Sequence, residues 1–440
     1  MDRIWRAAIA IRRAVDLRFQ LVALAGLGLT AASAAYVVAF GQHVSWNHGC
    51  GDDGLEYCSM VLGIPVIDPY SRRLLAPWLV RLVTTDLDQL PLVFFLMNLV
   101  GLLVVALGAG LLTHRLAVLL QARRARARWA GLLAASLVIL SPMGFAFVSY
   151  YPVLVDDLAA ALAIVWLLCF LSRRWFWPSL PLAAAAVLTR EPWLSVMAAI
   201  AVSRLLLQRD RLMLWRAGAT LLAVAMATGL GLAVSGMNGR PNLEIGQPFA
   251  RYGVASNLLH YVVFPQHYVW MAFFVCGLVP LLLLHWPAYR RLTKANREAA
   301  LVVYPILAGL LVQALQELVA GYDVHRFLFG VLPMLLALVL GLAARKPRLD
   351  IELILLLIAS LILWRPFQVV AGTHDAYLRY YSPVYVSNAM QLVRFALDLL
   401  RVSPLLLAWI ALLLMQRRPR LRRPLGRLDG GQPAAATADA

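Results

Sequence analysis

Apolar residues arrive in this chain as long unbroken runs, separated by short basic stretches or by longer mixed loops. Twelve runs can be drawn, at about 20–40, 90–113, 129–148, 155–171, 177–189, 192–206, 216–236, 267–287, 299–319, 326–344, 350–365 and 391–416. Most approach the roughly 20 residues that carry a helix across a hydrocarbon core of about 30 Å. The dyad alternation of a membrane barrel is absent, so the backbone must be satisfied within helices. The pattern predicts an all-α, polytopic membrane protein with about twelve transmembrane helices over residues 1–416. The fifth and sixth runs are short and flank "TREP" (Thr189 to Pro192), which predicts a bent helical hairpin in place of two full spans. The first run is too long for a cleavable leader and is expected to stay as an anchor.

Composition agrees: 62% of the residues are hydrophobic and 14% charged, beyond what soluble domains carry. The net charge of +18 would suggest nucleic acid, but its distribution argues for a bilayer instead. With the N-terminus placed inside, the segments 1–19, 114–128, 172–176, 204–216, 288–298, 345–349 and 417–440 hold 29 of the 40 Lys and Arg. With Asp350 and Glu352 counted at their boundary, they hold 8 of the 22 acids. That asymmetry is the positive-inside signature and puts both ends in the cytoplasm. No nucleic-acid partner is expected. Of those 40 basic residues, 38 are Arg, a usage that fits a GC-rich bacterial genome and hence a bacterial inner membrane. The tail 417–440 is Pro- and Arg-rich, then low in complexity; it reads as a disordered cytoplasmic segment with its arginines on the anionic leaflet or simply flanking the last span.

Chemistry concentrates on the other side, in the loops 41–89, 237–266 and 366–390, since long connections tend to carry function. The first holds "HGCGDDGLEYC", His48 to Cys58, with Asp52, Asp53 and Glu56 just beyond a span. Adjacent carboxylates could act as a base or a metal pair, or could be solvated turn acids. His43, His48, Cys50 and Cys58 match no usual zinc spacing, so no metal is expected; a Cys50–Cys58 disulfide would tie the loop in an oxidising compartment. Cys169 and Cys276 lie in apolar runs and read as packing residues. Within Ile67 to Leu90, Leu74, Leu75, Trp78, Leu79 and Leu82 recur at helical spacing around Arg72, Arg73 and Arg81. This predicts an interfacial helix that either anchors the loop or holds a lipid phosphate.

Further polar residues interrupt the apolar runs. Asp156 and Asp157 suit a helix N-terminus by charge alone. Arg190 and Glu191 break a continuous apolar tract, where charges are costly and usually paired. Asp323, His325 and Arg326 precede Pro333, and Arg326 could fork onto a phosphate or pair with Asp323. There is no Gly-rich nucleotide loop, no Ser-His-Asp spacing and no soluble domain, so any enzyme activity must use substrates delivered by the membrane.

On these residues the chain resembles the GT-C superfamily of integral membrane glycosyltransferases. The likeness rests on the first-loop acids Asp52, Asp53 and Glu56, the stretch 67–89, "TREP", and the late D-x-H-R…P element from Asp323 to Pro333. A looser likeness to bacterial membrane proteins runs through Asp53, Tyr57, Pro69, Tyr70, Arg73, Leu75, Pro77, Trp78 and Leu79. The resemblance implies inverting transfer of a sugar from a polyprenyl-phosphate donor to a periplasmic glycan or lipid acceptor. Asp53, or else Asp52, would be the base. Arg73, Arg72, Arg190 and Arg326 would face the donor phosphate, with Glu56, Glu191, Asp156, Asp157, Asp323 and His325 in support. No cofactor is implied. A transporter or flippase is the main alternative, and a glycan polymerase or ligase a further one. A transporter would place polar groups near the midplane of two related halves, whereas no internal repeat is evident and the charges here gather towards one face.

Overall fold

The computed structural model describes residues 2–67, 70–172, 174–238, 265–320, 324–380 and 388–417. Among them every regular element is helical, and a helix stands at each of the twelve apolar runs. Among the described residues seven helices are long and apolar enough to cross a membrane, or eight if one bent pair counts as a span. The protein is therefore a polytopic, all-helical membrane protein. The remaining four apolar helices are short: α7 (Asp156–Phe170), α8 (Phe176–Thr189), α9 (Trp193–Gln208) and α15 (Asp350–Trp364), of 14 to 16 residues each. At about 1.5 Å per residue they reach only about 21–24 Å, short of a full hydrocarbon core.

The core is built around α14 (Val324–Arg345), whose apolar window is 83% buried. It packs against α4 (Leu90–Leu119), α5 (Arg124–Leu140) and α7. Helix α4 has Pro91 in its first turn, where the missing N–H is harmless. Small residues let the neighbours close in. A Cβ on Gly101 would meet the Asp157 carbonyl carbon at 2.9 Å, and one on Gly110 the Gly131 oxygen at 3.0 Å. The first contact seats the start of α7 against α4, eleven residues after α4 begins. Helix α4 thus rises roughly 16 Å beyond the start of α7.

Helices α8 and α9 do form the expected hairpin. Arg204, late in α9, donates to the Phe170 carbonyl (3.4 Å) and lies over its ring, while Arg216, in α10 (Arg211–Asn238), lies over Phe176. The C-terminal end of α7, the start of α8 and the end of α9 therefore share one level, and Arg190 sits at the opposite tip. The turn is made by Arg190 itself, in extended conformation (φ −159°, ψ 118°).

Two sequence expectations change. The run 267–287 is not straight: α11 (Pro265–Cys276) and the 3₁₀ segment Val279–His285, which leads into α12 (Trp286–Ala295), meet at a 102° bend. Gly277 adopts φ +64° there, and the Leu278 N–H donates to Ser360 Oγ (2.7 Å). The interfacial helix expected over 67–89 is shorter, a 3₁₀ turn Tyr70–Arg72 followed by α3 (Leu75–Arg81). Beyond it, Thr84 Oγ1 accepts from the Asp86 N–H and the Asp86 carboxylate from the Asp88 N–H, so side chains capture the backbone and stop the helix. Trp78, Leu79, Leu82 and Val83 remain exposed, as suits an element lying on a membrane surface.

The remaining spans are α1 (Asp2–Phe40), α10, α13 (Arg297–Ala320) and α17 (Asn388–Arg417). The basic segments gather at one end of the bundle, called here the basic face. The first loop, the end of α6 (Phe145–Tyr150) with residues 149–157, residues 190–193, and residues 365–380 with α16 (His374–Tyr380) gather at the other, the site face. The basic tail beyond Arg417, Asp323, residues 239–264 of the loop 237–266 and residues 381–387 of the loop 366–390 lie outside the described residues.

Candidate functional site

The acidic loop is held flat against the segment after α5. Cys50 and Cys58 form a disulfide with Cα atoms 6.6 Å apart, closing the turn onto α2 (Asp53–Val61). Gly51 and Gly54 bracket the two aspartates for a steric reason. Gly51 has φ +70° and lies against the Tyr151 ring, while a Cβ on Gly54 would come within 2.9 Å of Val153. The Gly54 N–H donates to Tyr151 Oη (3.2 Å), and burial pushes the Tyr151 hydroxyl well above its ordinary range, keeping it neutral. The loop is tied further by Val44 N–H to the Tyr150 carbonyl (2.9 Å) and by Ser45 Oγ to that of Gly372 (2.6 Å).

Because Asp52 and Asp53 enter a helix about 100° apart, their carboxylates part company. Asp52 faces outward, accepting from Trp46 Nε1 (3.1 Å) and lying 3.0 Å from His374 Nε2. Asp53 faces inward: one oxygen accepts from Tyr70 Oη (2.6 Å) and the other is paired with Arg326. Arg326 stands in the first turn of α14, where the helix dipole disfavours a cation, and carboxylates compensate. Its Nε donates to Asp156 (2.9 Å), and Asp156 is paired also with Arg190. The next residue, Glu191, accepts from Arg73 Nε (3.1 and 3.3 Å), and Arg73 NH1 donates to Tyr57 Oη (2.8 Å). Burial, the largest single influence, opposes the charge on Arg73, but Glu191, Tyr57 and Tyr70 together outweigh it and hold the guanidinium above its ordinary pKa. Arg73 also lies over the Tyr70 ring, 5.0 Å from its centroid, which returns the circuit to Asp53.

The result is a ring in which Asp53, Asp156 and Glu191 alternate with Arg326, Arg190 and Arg73. Its formal charges balance. Arg326, Arg190 and Asp156 are buried, whereas the Asp53 and Glu191 side chains keep 29% and 26% of their surface exposed. One side of the ring is sealed in helices and the other is open. The opening lies in a recess, since α7, α8 and α9 stop below the level that α4 reaches.

Other expected residues stand apart. Glu56 accepts from the Ile67 N–H (3.4 Å), bracing the loop away from the ring. Asp157 is buried in the first turn of α7 and takes no part in the ring. Arg72 is half-buried in the 3₁₀ turn that docks on α10 through Ser71 and Ser235 (2.6 Å). His325 lies in α14, with its side chain outside the description, and Asp323 is outside it altogether. Arg326 takes partners from the first loop and α7.

Three contributors went unread in the sequence. Asn98 donates to the Pro152 carbonyl (2.8 Å) and to that of Leu154, fixing the turn that delivers Asp156; an amide inside an apolar run was its available signal. Trp46 and His374 carry no local pattern, and their roles emerge only from the tertiary contact with Asp52. No known family model matches this chain, and neither a curated protein nor a solved structure gives a significant match to it.

Proposed function

We propose that this protein is a membrane glycosyltransferase of GT-C type that transfers a sugar, with inversion, from a polyprenyl-phosphate donor to a glycan or lipid acceptor. The observation that carries the reading is Asp53: a carboxylate aimed by Tyr70 and Arg326, partly open on a recess with three guanidiniums just beneath its surface. Asp53 removes the proton of the acceptor hydroxyl as its oxygen attacks the anomeric carbon. The bond from that carbon to the carrier oxygen breaks, and the carrier phosphate leaves with the electron pair. Arg326, Arg190 and Arg73 oppose the growing negative charge, exchanging part of their carboxylate contact for phosphate as the donor enters. Arg72 flanks this entry, and Asp52 is the second candidate base. In the topology that goes with this reading, twelve helices cross a bacterial inner membrane with both ends cytoplasmic. The four short ones cross with their tips recessed, and the site face is periplasmic. A partly open ring of charges at one end of the bundle suits surface chemistry better than transport, which calls for polar groups near the midplane.

The test is incubation of the purified protein, in lipid nanodiscs, with a panel of polyprenyl-phosphate sugars and an acceptor extract. Release of carrier phosphate that disappears in Asp53→Asn is the expected result. No release with any donor, alongside substrate-driven uptake in vesicles, overturns the reading in favour of a transporter.

A further inference from the structure

A second cationic site lies on the same face and shares no residue with the ring. Along α17, Arg394, Asp398 and Arg401 recur at i, i+4 and i+7 and so occupy one helical stripe. Beside it runs an apolar stripe, Phe395, Val402 and Leu406. Arg365, just past the end of α15, completes the cluster: it is paired with Asp398, which also accepts from Arg401 (3.0 Å). These groups line a cavity of about 420 Å³ with Trp270, Phe274 and Tyr380, so its described wall holds three guanidiniums against one carboxylate. From Asp398 a narrow apolar slot continues between α11 and α17, lined by Phe273, Leu278, Phe395 and Leu406.

Polar head and apolar slot meet at Trp270, whose indole nitrogen lies 3.5 Å from Asp398 while its ring forms a wall of both spaces. Val393, Leu397, Leu400 and Leu407 are exposed on the same helix, so the cluster borders the bilayer. We infer that this cavity binds an anionic membrane phospholipid, its phosphate held by Arg365, Arg394 and Arg401 and one hydrocarbon chain prising open the slot, which by itself has only about 20 Å³ of room. Arginine suits the role because its fork meets phosphate oxygens in two-pronged fashion and desolvates more readily than an ammonium. A phosphate binds there by sharing guanidinium N–H groups with Asp398. The segment between cavity and ring has two faces: Gln368, Ala376 and Tyr380 face the lipid cavity, while His374 meets Asp52 and Tyr377 packs on Trp46 and Tyr151. A bound lipid thereby braces the wall against which the acidic loop rests.

The experiment is native mass spectrometry of the full-length protein, titrated separately with phosphatidylglycerol, phosphatidylcholine, polyprenyl phosphate and inorganic phosphate. Phosphatidylglycerol adducts should form at least tenfold more readily than phosphatidylcholine adducts. Arg394→Gln/Arg401→Gln should remove that preference, and Leu406→Trp, which fills the slot but leaves every arginine, should weaken adducts to a similar extent. Thermal melting checks the fold; if the double variant does not fold, the slot variant carries the test. Equal binding of the two phospholipids overturns the inference, as does unchanged binding in Leu406→Trp. Preference for polyprenyl phosphate assigns the cavity to the carrier lipid and overturns the phospholipid. Binding of inorganic phosphate as tight as that of the lipids, insensitive to the slot, makes it a soluble-anion site and overturns the lipid altogether. None of these outcomes depends on glycosyl transfer.

Discussion

The two ends of α14 each meet a buried arginine, and they use it differently. At the basic face, Arg126 from α5 reaches the C-terminal end of the helix, where carbonyls are left over and the dipole favours a cation. Its Nε donates to Ala344 (3.0 Å), NH2 to Ala343 (3.1 Å), and NH1 and NH2 grip Asp350 at 3.0 and 2.5 Å. Phe19 covers the guanidinium face, 4.5 Å away. Nearby, Glu352 is fully buried and accepts from His285, Trp409 and Gln416, each at 2.9 Å. The charged groups Arg126, Asp350 and Glu352 are all matched and buried. At the site face, Arg326 stands where the dipole opposes it, and of the two carboxylates that stabilise it Asp156 is buried while Asp53 is partly open to the recess. The same chemistry makes a clasp at one end and a loaded but accessible ring at the other. Burial of charge alone does not distinguish structure from site; the open side does.

Changing one charge at each end should separate these roles. The largest effect is expected for Asp53→Asn, which keeps the Tyr70 contact but removes the base. Carrier-phosphate release should fall by about 10²–10⁴-fold, with the protein still folded and its melting temperature only modestly lowered, because Arg326 loses one carboxylate partner and keeps Asp156. Full activity in both Asp53→Asn and Asp52→Asn would end the catalytic assignment. Arg126→Ala should do the reverse. It strands Asp350 and two helix-end carbonyls, and breaking a buried pair of this kind costs about 3–5 kcal/mol. Denaturation of the purified protein should show that loss, while turnover per folded molecule stays within about twofold of wild type, since Arg126 touches nothing at the site. A selective loss of turnover in folded Arg126→Ala would collapse the contrast between the two ends.

How much of this could be read from the chain differs between the same two regions. The helices were legible because most apolar runs are long and bounded by charge, and the acids were legible because nothing else in the first loop has their density. The Cys50–Cys58 pairing was among the readings kept open. The pairings that make the ring were not legible. Arg326 meets Asp53 and Asp156 across 273 and 170 residues of chain, and the sequence offers Asp323 as a nearer partner. Nor could an isolated Gly277 in an apolar run announce a 102° bend, because only the Ser360 and Trp364 atoms packed around it demand one. The balance of three carboxylates against three guanidiniums follows from the fold, and it alters the roles first suggested: Arg73, Arg190 and Arg326 come with carboxylate partners, so donor binding becomes an exchange of partners.

A smaller effect tests how firmly the acidic loop must be held. Replacing Cys50 and Cys58 by Ser opens a short loop, for which chain entropy gives about 2.5 kcal/mol. The loop keeps its contacts through Tyr151, Tyr150 and Gly372, so the protein should fold with a lowered melting temperature. Transfer should drop by less than tenfold, measured under conditions where wild type is fully oxidised. A loss as deep as that of Asp53→Asn would mean that the disulfide, more than Tyr70 and Arg326, aims the carboxylate.

The smallest change expected is the most discriminating. Asp52 sits next to Asp53 in sequence, but its carboxylate is half exposed and its partners, Trp46 and His374, come from outside the ring. Asp52→Asn preserves the size of the side chain and can still accept from the Trp46 indole; what it removes is the charge beside His374. If the ring is the reactive part of the site, transfer should fall by less than about threefold, as expected for a weakly coupled surface pair. The effect should shrink further in high salt, because exposed pairs are screened. A deep loss in Asp52→Asn, with Asp53→Asn active, would move the base to the outer aspartate. The ring would then be read as a second clasp, built like the one around Arg126, and the distinction between the two ends of α14 would rest on exposure without chemistry.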